Sequence, residues 1–251
     1  MNYFLPRLRA AGFHFLLSII VVGAVVATAI GLWFPGYLAR AAGLVGLTGI
    51  LISVDLILGP ALTFLVYRPG KKSLRFDLTV IAAIQISALV FGISSIYQVR
   101  PVYLAFVVDR FETVAAADLE ESLLREAAEP YRAIPVDGPK VVGVELPTDP
   151  AELENLTMAE ALNGTGPALI PRYYRDYASV VSKTLSKARS LDALHEFNAA
   201  NEVSDAVAGL GRDPAVLRFL PLAGRDRDLT VIVEAETGAI VEIVDLRPWR
   251  S

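Results

Sequence analysis

Three apolar runs open the chain, and a mixed, charge-bearing pattern fills the rest. From Phe13 to Phe34, from Leu44 to Tyr67 and from Leu78 to Tyr97 the residues are almost wholly uncharged, and a helix needs about 20 such residues to cross a hydrocarbon core. Beyond them, Val102 to Val108 (VYLAFVV) reads as a strand of β-branched and aromatic residues closed by Asp109-Arg110. Ala115 to Glu129 carries Leu119, Leu123 and Leu124 at helical spacing before Pro130. Lys140 to Leu146 reads as a second strand, Asp149-Pro150 as the entry to a helix ending near Leu162, and residues 163–167 as a loop. Tyr173, Tyr177, Val181 and Leu185 recur every four residues, which predicts a helix from about Arg172 into Arg189, with Leu191 to Ala200 as a further segment. Leu229 to Ala235 and Ala239 to Leu246 read as a hairpin turning at Glu236-Thr237-Gly238. The pattern predicts a membrane protein in which three transmembrane α-helices, over residues 1–100, precede an α+β soluble domain with a small antiparallel sheet over residues 101–251.

Charge supplies the orientation. Arg7 and Arg9 precede the first span and Arg68, Lys71, Lys72 and Arg75 fill the hairpin between the second and third, whereas the loop between the first two holds only Arg40. Basic residues beside short loops mark the cytoplasmic side, so the N-terminus and the basic hairpin are expected in the cytoplasm and everything after Arg100 outside. The first hundred residues hold eight Lys/Arg and two Asp/Glu, and the rest 15 and 25, giving +6 and −10 within the net −4. An acidic outer domain excludes a nucleic-acid partner, because such binding rests on neutralising phosphates with Lys and Arg. The first run, with Ala27-Thr28-Ala29 at its end, also has the pattern of a cleavable signal. It continues past those small residues, and the uncleaved anchor is the reading adopted. Cysteine is absent, so no disulfide or thiolate metal site can form.

Catalytic chemistry is poorly supplied. The only histidines are His14, at the mouth of the first span, and His195, in the outer domain. No GxSxG, HExxH, P-loop or Gly-rich dinucleotide motif occurs. No catalytic residue, metal site or cofactor is expected, and a membrane-anchored enzyme or a sensor subunit stands only as an alternative.

Asp55 is the informative residue. Fourteen uncharged residues precede it, back to Ala41, and twelve follow it, so a spanning helix here holds a carboxyl within hydrocarbon. That placement costs about 2.5–3.5 kcal/mol on insertion scales. Counted from the basic hairpin, Asp55 lies roughly 18 Å up the second span and Gln85 roughly 13 Å up the third. Pro60 cannot donate to the carbonyl of Leu56, so Gly59-Pro60 is expected to bend the helix and expose a polar carbonyl beside Asp55. Two readings stay open: a clamp of Asp55 with Gln85, Ser87 or Ser53 that fixes helix packing, or a polar notch that receives a group from another membrane helix. A proton or ion path is poorly served by three spans and one acid. The basic hairpin either enforces topology or also binds anionic membrane lipids or a cytoplasmic assembly factor.

The segments VDLILGPALTFLVYRPGKKSLRFDL, RPVYLAFVVDRFE and RFLPLAGRDRDLTVIVEAETGAIVEIVDLRPW together resemble the TfpX/TfpZ type IV pilin accessory proteins, nearly end to end. The resemblance implies a non-enzymatic, chaperone-like role in the stability, presentation or assembly of a cognate type IV pilin, with the pilus assembly machinery as a further partner. It directs attention to Asp55, Gly59, Pro60, Gln85 and His14 for contact with the pilin helix. For the pilin head the candidates are Asp109, Arg110, Arg225 and Asp228.

Overall fold

The computed structural model describes residues 3–250. Two compact units emerge: one from the residues up to Gly31 with Leu44–Gln98, the other from Leu32–Gly43 with the residues from Val99 onward.

Among the described residues three helices are long and apolar enough to cross a membrane, Phe4–Trp33, Leu44–Val66 and Leu74–Val99, and the helical unit holds all of them except the ends at Leu32-Trp33 and Val99. The first comprises α1, Phe4–Thr28, and a π-helical turn, Ala29–Trp33. It starts nine residues earlier than the apolar run predicts, since Pro6 falls in the first turn, where a missing N–H costs nothing. After a short α2, Leu38–Ala41, comes α3, Leu44–Val66, which contains a π-helical turn at Ser53–Leu58. Pro69 ends it by pushing the residue before it out of the helical region. The third helix, α4, Leu74–Val99, ends before Pro101 for the same reason. Large apolar side chains face outward around this unit; Phe13 and Phe91 are about three-quarters exposed.

The other unit is built on one sheet. Its strands are β1 (Pro101–Val107), β2 (Arg110–Ala115), β3 (Lys140–Val144), β4 (Tyr174–Asp176), β5 (Arg189–Ser190), β6 (Leu217–Ala223), β7 (Leu229–Glu234) and β8 (Ile240–Val244). The order is β4-β3-β1-β2-β6-β7-β8, with β5 paired to β6. The sheet has eight strands and is mixed, which corrects the expected small antiparallel sheet: β1 pairs β3 in parallel, and β2 pairs β6 in parallel. Both parallel pairings join segments far apart in sequence, so no local pattern announces them. The hairpin β7–β8 forms as expected, with Gly238 at φ 68° in the turn.

Alternation along β1 divides the core. Tyr103, Ala105 and Val107 point to one face with Val142, Val144, Leu124 and Leu156, while Leu104 and Phe106 point to the other with Phe111, Leu220 and Val231. The first face is covered by the helices Glu121–Glu126 and Pro150–Asn163; the second by the helix Tyr177–Lys187 together with Leu38 and Ala41 of α2. The loop between the first two apolar runs is therefore part of the sheet unit's core. Trp33 Nε1 donates to the carbonyl of Val136 at 3.1 Å, Asp226 N to that of Ala41 at 2.9 Å, and Arg40 pairs with Asp245.

Several predicted elements shift. The helix expected over Ala115 to Glu129 is a 3₁₀ turn followed by Glu121–Glu126 alone. Asp109-Arg110 closes the strand as expected, β1 ending at Val107, and the chain turns there into a hairpin with β2, which the sequence did not announce. The helix expected from Arg172 begins at Tyr177, because Tyr174–Asp176 pairs with β3. The segment expected at Leu191 to Ala200 is a 3₁₀ helix, Leu191–Glu196, and a further helix runs over Ala200–Gly209.

Candidate functional site

The polar groups of the helical unit gather along α3. Arg7 Nε donates to the carbonyl of Tyr67 at 2.9 Å, and one helical turn above, His14 Nδ1 and the buried Thr63 Oγ1 share a hydrogen bond of 2.6 Å. With the edge-to-face pair Phe4–Phe64 at 5.9 Å, these fix α1 on α3. Thr63 lies eight residues beyond Asp55, about 12 Å along the helix.

The π-helical turn explains what Gly59-Pro60 does to the backbone. Gly59 N–H bonds to the carbonyl of Val54, five residues back, so the carbonyl of Asp55 loses the partner an α-helix would give it. In that register the next donor is Pro60, which has no N–H. The freed carbonyl thus belongs to Asp55, one residue before the expected Leu56, and Gln85 Nε2 on α4 lies 3.4 Å from it. Gly59 makes this approach possible, since a Cβ there would collide with the Gln85 amide. Glycines at such crossings let helix backbones come together. Ser53 and Ser87, the other clamp candidates, are exposed and donate to their own helices, to the carbonyls of Gly49 and Ala83.

The Asp55 side chain is only 5% exposed, and its Oδ2 has no hydrogen-bond partner among the described residues. It lines a cleft of about 220 Å³ together with His14, Ser18, Gln85 and the apolar side chains of Leu17 and Ile86. The structure thus brings together Asp55, Gly59, Pro60 and Gln85, with His14 at the cleft's edge. Ser18 escaped sequence reasoning, because one serine in an apolar run carries no signal until its face is known.

The sheet unit places its candidates apart. Asp109 and Arg110 sit at the β1–β2 turn beside Val108, whose φ of 55° is unusual for a β-branched residue; Arg110 Nε donates to Glu112 at 3.2 Å. Arg225 and Asp228 lie in the β6–β7 connection and are engaged internally, Arg225 with Asp118 at 2.7 Å and Asp228 with the Trp249 indole at 2.8 Å. Because β2 and β6 run parallel, with Phe111 opposite Leu222, that connection lies toward the end of β2 and the turn at its start. The two pairs do not form one surface.

Arg68, Lys71 and Lys72 are exposed on the loop between α3 and α4 and Arg75 in the first turn of α4, with Lys71 held to Asp77 at 2.5 Å. His195 is exposed. Among the described residues no group of His, Asp and Glu is arranged to hold a metal ion.

Comparison with known proteins gives relatives from Dichelobacter nodosus. The chain is 28% identical over 237 residues to "Fimbrial assembly protein, serogroup I", covering 92% of each chain. It is also 28% identical over 237 residues to the serogroup E1 protein of the same name, again with 92% of each covered. The protein of serogroups C1 and C2 is 31% identical over 118 residues, which is 46% of this chain and 90% of that one. No protein-family model matches the chain, and no solved structure does so significantly.

Proposed function

Since the chain belongs to the fimbrial assembly protein family, we propose that it is a non-enzymatic accessory protein of the bacterial inner membrane that supports the stability, presentation or assembly of a type IV pilin, in the manner of TfpX/TfpZ proteins. The observation that carries this reading is similarity to fimbrial assembly proteins across 92% of both chains, helical unit and sheet unit alike. The N-terminus and the basic hairpin face the cytoplasm by the distribution of Arg and Lys, and the sheet unit lies in the periplasm. Before polymerisation a pilin waits in the bilayer as one long apolar helix with a globular head outside. A partner with spanning helices and an outer domain is suited to hold both parts, the helix against the Asp55 notch and the head against the sheet unit.

Deleting the gene is expected to lower pilin abundance or surface pili while pilin transcript stays constant. Immunoblotting, quantitative transcript measurement and electron microscopy of the same cultures check this. Unchanged pilin and unchanged piliation would refute the proposal.

A further inference from the structure

The helical unit buries a carboxylate that it answers only in part. Asp55 is only 5% exposed; His14, by charge, and the Gln85 side chain bear on its carboxyl, yet among the described residues Oδ2 accepts no hydrogen bond. An acid held within hydrocarbon normally pairs with another polar or charged group. The unit's own Arg and Lys side chains lie at its ends; Arg68, for instance, is thirteen residues from Asp55, roughly 20 Å along a helix. His14 is engaged with Thr63, and the Gln85 amide approaches the Asp55 backbone carbonyl.

The space beside Asp55 has the dimensions of a side chain. At about 220 Å³ it is far larger than one water requires and below the roughly 300–1,000 Å³ of clefts that hold free small molecules. Its outer wall is apolar and open: Leu17 is 51% and Ile86 62% exposed. An occupant must therefore bring a hydrogen-bond donor to the floor and an apolar surface to the rim.

We propose that this cleft is a recognition site for a positively charged side chain or amino group carried on an apolar membrane helix of a partner, received by Asp55 Oδ2 with Ser18 and Gln85 beside it. This rests on reading the helical unit as membrane-spanning and extends the pilin-binding proposal by stating the chemistry of the bound group. A cation is the occupant because it offsets the cost of the carboxylate while the carboxylate offsets its own, and an apolar helix alone leaves Oδ2 unpartnered. Binding then selects helices by charge as well as by shape.

The test uses the full-length protein, donor-labelled and reconstituted in phosphatidylcholine vesicles without anionic lipid. Acceptor-labelled single-span Leu/Ala peptides carry Lys, Leu or Glu at the depth of Asp55, and association is read by energy transfer. The Lys peptide is expected to bind roughly tenfold more tightly than the Leu peptide, with the Glu peptide weakest. Asp55→Asn should remove the advantage of the Lys peptide over the Leu peptide. Ile86→Trp, which fills the exposed mouth, should abolish it too and stands in if Asp55→Asn does not fold. Equal binding of the Lys and Leu peptides, or a Lys advantage that survives both substitutions, would overturn the inference. No pilin is present in this assay, so its failure leaves the pilus role standing, while a failure of the deletion test leaves the charge preference of the cleft intact.

Discussion

The two units are inverted with respect to one another in where they put their apolar and polar atoms. In the sheet unit Phe106 and Phe111 are 1% and 0% exposed and the charges pair on the surface, as in Arg175–Glu145 at 2.8 Å and Arg172–Glu152 at 2.9 Å. In the helical unit Phe13 and Phe91 are 74% and 75% exposed, and the buried positions include Ser18, Asp55 and Thr63. The sheet unit suits water. The helical unit suits a hydrocarbon solvent, in which apolar contact gives helices no drive to associate and polar groups and close packing hold them together. Against that background an unpartnered Asp55 Oδ2 is conspicuous, because the helical unit satisfies its other contacts through Thr63, Gln85 and Tyr67.

The comparison assigns residues 32–43 to the water-suited unit, and the largest predicted effect tests that assignment. Leu38 is 1% exposed among Leu104, Phe106 and Phe111, so Leu38→Ala should cost about 2–5 kcal/mol, a large share of the roughly 5–15 kcal/mol that holds a domain. Both tryptophans, Trp33 and Trp249, belong to this unit, so urea unfolding of the detergent-solubilised protein followed by tryptophan fluorescence reports on it alone. An unmoved midpoint would return the segment to the helices.

A smaller effect follows from the tyrosines of the same core. Tyr103 lies edge-on to Tyr174 at 5.0 Å and to Tyr131 at 6.5 Å, and burial, aided by Tyr131, pushes its phenol up to about 12. Below about pH 10 the phenol is neutral whether folded or unfolded, so the contribution is fully present. Between about 10 and about 12 only the unfolded chain ionises, and roughly 2–3 kcal/mol is lost. The urea midpoint should fall over that window, and Tyr103→Phe should blunt the fall. An identical fall in the variant would discount Tyr103.

On the helical side, Gly59→Val places a side chain into the Gln85 amide, and overpacking of this kind costs about 1–3 kcal/mol. Thermal melting in detergent monitored by helical circular dichroism should drop, with partial recovery in Gly59→Val/Gln85→Ala. Recovery is the informative result, since it locates the strain at the α3–α4 crossing. The smallest effect belongs to Arg40→Ala: the ion pair with Asp245 is exposed on the Arg40 side, and Asp245 keeps Arg227 at 2.8 Å, so the urea midpoint should move by less than about 1 kcal/mol.

The helical unit was largely legible in the sequence because its signals are local. An apolar run needs no partner to be recognised, Pro101 ends α4 by itself, and Gly59-Pro60 announces a disturbed helix. What the sequence did not disclose is which carbonyl the disturbance frees, since that depends on the π register through Val54, and that Ser18 joins Asp55, since that depends on how α1 rotates against α3. The sheet was legible at β1, β3 and the β7–β8 hairpin. It was hidden where pairing is non-local: β2 beside β6, β1 beside β3, and the four-residue periodicity of Tyr173 and Tyr177 overridden by the pairing of β4 with β3. Placing Leu38 and Ala41 in the core required knowing what lies opposite them.

The central claim is that a pilin helix docks laterally at the Asp55 notch, and site-specific photo-crosslinking in living cells tests it most directly. With the photoreactive residue placed at Gln85 or at Ile86, pilin should be captured at both positions, and capture should fall when Asp55→Asn is combined with the probe at Ile86. Capture from the sheet unit alone, with none from any outward-facing position of the three helices, would contradict the claim.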